Sequence, residues 1–306
     1  MKRLCQAMPF SLCCLLAAPL LAQTQIGGGT CSSSTISGTY TFSISGRQVT
    51  SAGNFSSVME GNGSANFDGQ SVVKITMTTD TLQAVGTPVT WSGTYTMRAN
   101  CTGVITITSS VSATLNLALY DTGPSGTAAD FLITGNDAVY NYSGNGNLQP
   151  TGCSAATLTG VYTFTGTGYS VSGASVTGAE NGTGLLQFDG VGAITANFNT
   201  SVLGKTPGAL SLTGSYSISS TCVGSATLTD STKTNTYAMS FSITNSSVAS
   251  GAFAALFAQS GKLLIAGTGN AAYGQSTTSS SNLEVSRPAA EVVARLSSET
   301  AARRNL

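Results

Sequence analysis

Few residues in this chain are equipped for chemistry. Histidine is absent from all 306 residues. That removes Ser–His–Asp and Cys–His catalysis and the commonest zinc ligand. Carboxylates remain. Asp68 and Asp189 each precede a glycine, and Glu60 and Glu180 each stand just ahead of an Asn-Gly step. A glycosidase-type acid/base pair needs two such groups held at a set separation in a cleft. Asp-Gly is also an ordinary turn sequence, because glycine reaches positive φ and aspartate tolerates it. The turn explanation therefore outweighs the catalytic one for the aspartates, and a solvated strand end accounts for the glutamates. No catalytic residue is assigned. Short oxygen-ligand runs such as Asp189-Gly190-Val191-Gly192 supply too few donors for calcium, so no metal or cofactor is assigned either.

Tyr40, Tyr95, Tyr162 and Tyr216 are the candidate ligand-binding residues. A tyrosine offers an apolar body and a polar tip, suited to a saccharide or a small apolar ligand in a lumen. Their spacing also matches that of core residues, which makes buried packing the competing account. Trp91 stands alone, with Leu212 in the matching place, and is a weak platform signal.

These residues recur because the chain repeats itself. Gly38-Thr39-Tyr40-Thr41-Phe42 returns as Gly160-Val161-Tyr162-Thr163-Phe164. Phe67-Asp68-Gly69 returns as Phe188-Asp189-Gly190, and Cys101-Thr102-Gly103 as Cys222-Val223-Gly224. Within each copy apolar residues alternate with Ser and Thr, as at Tyr40, Phe42 and Ile44 or Leu115, Leu117 and Leu119. Period two with β-branched and aromatic residues indicates strands with one buried face. Gly61-Asn62-Gly63, Asn181-Gly182 and Gly144-Asn145-Gly146 read as turns between them. The fold class is all-β: two tandem antiparallel β-barrels, or barrel-like sandwiches, of about eight strands each. A barrel is preferred because it leaves no open edge.

The domain plan follows. Residues 1–22 read as a signal peptide, with Lys2 and Arg3 ahead of an apolar run from Phe10 to Leu21 and a cleavage point after Ala22. Lipid anchoring through Cys13 or Cys14 is the competing reading, disfavoured because Leu12 rather than a small residue precedes Cys13. Repeat 1 occupies 31–149 and repeat 2 occupies 152–273. A Gly/Ser/Thr-rich linker, 274–287, leads to a short helical tail at 288–306, where Pro288 suits the first turn.

Losing the leader leaves four cysteines of seven and ten basic against twelve acidic residues, a net charge of −2. Four cysteines allow three pairings. Duplication favours Cys31–Cys101 and Cys153–Cys222, each closing a loop of about 70 residues. There is no basic field for nucleic acid and no membrane span once the leader is removed. Only 8% of residues are charged while 41% are hydrophobic, so the chain folds with hydroxyls and amides as its solvating groups.

The repeated Gly-x-Tyr-x-Phe, Phe-Asp-Gly and Gly-x-Tyr…Cys-x-Gly series resembles a group of uncharacterised secreted bacterial proteins with duplicated calycin-type or allene-oxide-cyclase-like barrels. The resemblance covers residues 31–273 and rests on turn and core motifs. It implies the fold and transfers no site, because the acidic, Tyr or Arg lumen sets of cyclase and dirigent relatives have no residue-by-residue match here. The expectation is an exported, non-enzymatic surface, matrix or ligand-binding protein, secreted or at the cell surface. The alternatives are an isomerase or cyclase acting on a small apolar substrate, with Glu60, Asp68 or their counterparts Glu180 and Asp189 turned into a dry lumen, and a lipocalin-like carrier.

Overall fold

A computed structural model describes residues 30–49, 55–82, 84–122, 126–202, 208–245, 251–259 and 262–272. The signal peptide, the linker and the helical tail read from the sequence lie outside these residues. Two closed antiparallel barrels of eight strands each follow one another along the chain. Barrel 1 comprises β1 (Ser37–Val49), β2 (Phe55–Asp68), β3 (Val72–Thr81), β4 (Thr87–Met97), β5 (Thr102–Ile107), β6 (Ala113–Thr122), β7 (Ala128–Asn136) and β8 (Asn141–Leu148). Barrel 2 comprises β9 (Thr159–Ser172), β10 (Ser175–Asp189), β11 (Ala193–Val202), β12 (Gly208–Ile218), β13 (Val223–Asp230), β14 (Thr236–Asn245), β15 (Ala252–Gln259) and β16 (Leu263–Ala271). Every strand pairs with its sequence neighbours, and β8 on β1 and β16 on β9 close the rings. The sandwich alternative is thereby set aside.

The repeated motifs have structural meanings. Phe67 and Phe188 are the hubs of matching aromatic clusters inside the barrels. Phe67 meets Tyr40, Tyr95 and Phe131 at centroid distances of 5.7, 5.1 and 5.7 Å. Phe188 meets Tyr162, Tyr216 and Phe253 at 5.5, 5.0 and 5.8 Å. Edge-to-face pairs of this kind add about 0.5–1.5 kcal/mol each beyond area burial. The next residue is a turn cap: Asp68 Oδ1 accepts the N–H groups of Gln70, Ser71 and Val72 at 2.8–2.9 Å. Asp189 does the same for Val191, Gly192 and Ala193. Gly69 and Gly190 follow at φ +77° and +80°, the left-handed region that glycine enters without strain.

Both disulfides form as expected, with Cα–Cα distances of 5.0 Å. Each ties a single 3-10 turn (Ser33–Thr35 or Ala155–Thr157) across one end of its barrel, where Ile36 or Leu158 is fully buried. Replacing Cys31 and Cys101 by serine should cost about 2–4 kcal/mol of stability. Urea titration of the double variant against the parent measures this.

Three of the turn readings are corrected. Gly61-Asn62-Gly63, Asn181-Gly182 and Gly144-Asn145-Gly146 lie inside β2, β10 and β8. Their glycines make room for neighbours rather than reversing the chain. A Cβ on Gly146 would sit 2.2 Å from the Phe131 ring, and one on Gly63 would sit 2.1 Å from the Thr76 carbonyl oxygen. Phe131 and Phe42 are the cross-strand partners of Gly146. A narrow barrel filled with aromatic rings needs such gaps in its wall.

The two barrels pack side by side. An apolar seam joins Val58, from β2, and Leu82 to Tyr169, Val171, Ala258 and Leu264 of β9, β15 and β16. A polar lock sits beside it: the Ser242 hydroxyl lies 2.8 Å from Asn62 Oδ1 and 3.0 Å from the Gly63 carbonyl. Asn62 in turn donates to Ser43 Oγ at 3.0 Å, and both Ser242 and Asn62 are buried. Strand β15 is therefore apolar on both faces. Phe253, Ala255 and Phe257 point into barrel 2, while Ala254, Leu256 and Ala258 take the opposite parity, with Ala258 in the seam.

Candidate functional site

The barrel axes are filled. Tyr40, Tyr95, Tyr162 and Tyr216 are buried in the two cores with Leu, Ile and Phe side chains. Three of their hydroxyls are committed to backbone. Tyr40 donates to Ala128 O at 2.8 Å. Tyr95 lies 3.0 and 3.2 Å from Ser33 O and Ile36 O, and Tyr216 lies 2.9 and 3.1 Å from Ala155 O and Leu158 O. These bonds fasten the 3-10 turns over the barrel ends. Burial holds the Tyr40, Tyr95 and Tyr216 hydroxyls up at about 12, so they stay protonated donors. The Tyr162 hydroxyl has no partner among the described residues. The four tyrosines are split between two lumens and are not brought together around a common cavity. Trp91 is likewise core, edge-on to Tyr142 at 5.7 Å.

The carboxylates divide by face. Glu60 and Glu180 look equivalent in the sequence but are one residue out of step. Gly61 faces Ile44 and Gly182 faces Gly166, so Glu60 corresponds to Asn181, and Glu180 to Met59. One residue in a strand reverses the face. Glu60 shares the parity of Val58 and lies on the outside of barrel 1, buried between the barrels. Glu180 shares the parity of Leu186 and Phe188 and points into the mouth of barrel 2. Of the inward carboxylates of the cyclase alternative, Glu60 points outward and Asp68 and Asp189 cap hairpins, while Glu180 does point inward, at the mouth of barrel 2.

Beside Glu60 the outer faces of the two barrels diverge into a cleft of about 650 Å³. Barrel 1 contributes β1, β2 and β6–β8, and barrel 2 contributes β9 and β14–β16. Its walls carry hydroxyls and amides, including Ser43, Ser143, Asn145, Asn147, Thr167 and Asn270, interleaved with Ala254 and Leu256. Two large side chains stand open on its rim: Tyr120 is 57% exposed and Leu132 is 51% exposed. The amides are held in place. Asn145 Nδ2 donates to Asn147 Oδ1 at 3.2 Å, and Asn147 Nδ2 donates to Asp130.

Glu60 is the one ionisable group among the carboxylates and bases of the described cleft lining. Its carboxylate accepts from the Ser45 hydroxyl. Directly opposite on β3 stands Asp80, also buried. Burial pushes Glu60 up to about 7, offset in part by Ser45 and Arg47 and reinforced by Asp80. Burial likewise pushes Asp80 up to about 6 against the pull of the Gly86 N–H, which donates at 2.6 Å. The Arg47 guanidinium stands 5.6 Å from the centre of the Tyr169 ring.

No family model matches the chain, and no curated protein matches it. Among solved structures, a "putative AttH" from Nitrosomonas europaea is similar at 9% identity, covering 78% of this chain and 93% of that one. Its TM-score is 0.22, too low for the likeness to carry any weight on activity. The site therefore stands on its own geometry.

Sequence reasoning missed the cleft because its residues are spread over nine strands and its polar ones face outward, where Ser, Thr and Asn look like ordinary solvated surface. One signal was present. The run Ala252-Phe253-Ala254-Ala255-Leu256-Phe257-Ala258 breaks the alternation, as a strand buried on both faces must, and the shorter Leu263-Leu264-Ile265-Ala266 of β16 does the same. These runs mark the docking strands.

Proposed function

We propose that the protein is an exported, non-enzymatic binding module that takes a neutral, hydroxyl-rich ligand, of the saccharide class, in the cleft between its barrels. The observation that carries this reading is the cleft lining: fixed amides and hydroxyls for hydrogen bonding, with the exposed Tyr120 ring and Leu132 for the apolar face of a sugar. The size of the cleft falls within the range of small-molecule sites. The cyclase and carrier readings both need room along a barrel axis, and the axes are packed with aromatic side chains. Two disulfides and the signal-like leader support export. The strands turn their apolar residues inward and Ser, Thr and Asn outward, the reverse of a lipid-facing barrel.

Isothermal titration of the mature protein against a panel of neutral oligosaccharides tests the proposal. Binding is expected, with Tyr120→Ala and Asn145→Ala each weakening it about 10-fold or more at unchanged melting temperature, a loss of about 1.4 kcal/mol apiece. Absence of binding across the panel, or binding indifferent to both variants, would overturn it.

A further inference from the structure

The mouth of barrel 2 holds a second cavity, of about 240 Å³, on the opposite design principle. It is closed on one side by the inward carboxylate of Glu180, which is only 7% exposed. The Ser170 hydroxyl donates to one of its oxygens, and the other has no hydrogen-bond partner among the described residues. No described lysine or arginine neutralises it. Lys262, on the cavity rim, directs its ammonium to Asn235 Oδ1 at 3.0 Å instead. The wall beside Glu180 is aromatic: Tyr237 lines the cavity and is locked by stacking on Phe257 at 5.3 Å and 13°. The matching position of barrel 1 is Met59, an ordinary core residue, so the barrel needs no acid there.

The Glu180 side chain is largely covered, its second oxygen opens on the cavity, and an acidic oxygen so placed without a counter-ion is a ready partner for a cation. An aromatic ring alongside is a second attraction for positive charge. We propose that the mouth of barrel 2 is a receptor for the primary ammonium group of a small ligand, with Glu180 as its counter-ion. The ammonium sits between the Glu180 carboxylate and the Tyr237 ring. Two sources share this chemistry. A simple amine uses Glu180 alone, whereas an α-amino acid also offers a carboxylate that Lys262 can reach from the rim.

The test is NMR titration of the mature protein with methylammonium, L-alanine and acetate, following the amides of Thr200, Tyr237 and Leu263. Methylammonium or alanine should bind saturably and acetate should not. Glu180→Gln should weaken binding at least 10-fold. Glu180→Met, which restores the barrel 1 residue and preserves folding, should abolish it. Lys262→Ala lowers alanine affinity alone if the amino acid is the better ligand, and leaves both unchanged if the simple amine suffices. Equal affinity in parent and Glu180→Met, or no ammonium binding at millimolar concentration, overturns the proposal. The saccharide reading is independent, since none of these substitutions touches the inter-barrel cleft.

Discussion

Gly214→Ala in barrel 2, or Gly93→Ala in barrel 1, should unfold its barrel or cost about 4 kcal/mol or more, far beyond an ordinary Gly-to-Ala change in a strand. A Cβ at Gly214 would lie 1.9 Å from the Thr227 carbonyl oxygen and 2.8 Å from Leu228 Cα. At Gly93 the corresponding distances are 2.0 Å to Thr106 O and 2.9 Å to Ile107 Cα. Both obstacles are main chain in a paired neighbouring strand, so no side-chain rotation relieves them. The paired strands must separate, and with them the hydrogen bonds that hold Gly214 opposite Leu228 and Gly93 opposite Ile107. Gly208→Ala is the control, because its nearest neighbour there would be Thr200 Oγ1 at 3.7 Å, an ordinary contact. Urea unfolding followed by near-UV circular dichroism decides the matter. A Gly214→Ala protein with the parent's midpoint would show that the strands are not packed this closely.

The second large effect is a loss of stability as the pH rises through the range from about 4 to 7. Glu60 is raised from 4.5 to about 7, and Asp80 from 3.8 to about 6. For an acid raised by folding, the native state keeps its proton longer than the unfolded state. Stability is therefore highest below the unfolded values, declines as pH climbs, and has lost the whole contribution above the folded values. Each shift corresponds to about 3 kcal/mol. The burden falls on the seam between the barrels, where Arg47 is the cation facing Glu60 and Asp80 is the like charge opposite it. Tyr169 faces them from barrel 2. Glu60→Gln keeps the acceptor for Ser45 and gains an N–H donor for Asp80. It should leave stability at pH 4.5 nearly unchanged, raise it at pH 8, and flatten the profile between. Melting curves at half-unit intervals provide the measurement, and parallel profiles for parent and variant would refute it. The exposed turn aspartates do not interfere. Asp68, Asp189 and Asp230 are lowered by their hydrogen bonds, so their contributions are lost only as pH falls below about 4.

The readability of this chain follows from which interactions are local. Strand parity, the Asp-Gly hairpins at 68 and 189 and the within-copy cysteine pairs depend on short-range pattern and duplication, and they could be read directly. The mid-strand glycines could not. Asn62-Gly63 has the composition of a turn, and only the position of Met77 across the strand shows that the glycine is there to admit it. The difference between Glu60 and Glu180 is a single step of register, too small to notice in aligned text yet enough to send one carboxylate between the barrels and the other into a mouth. The cleft depends on how the two barrels dock, a contact between distant segments whose trace in the pattern is the unbroken apolar runs of β15 and β16.

That docking joins unlike surfaces: the β1–β3 flank of one barrel against the β14–β16 flank of the other. Two copies related this way share no dyad, and the same step could in principle be repeated to build a fibre. The free flanks forestall it. Where barrel 2 presents Ser242, Leu256 and Ala258, barrel 1 carries Ala118, Thr134 and Asn136. Where barrel 1 presents Glu60 and Asn62, barrel 2 shows exposed Asn181 and Thr183. Each barrel has its adhesive side toward its sibling and a hydrated one outward, so among the described residues neither free flank repeats the docking surface.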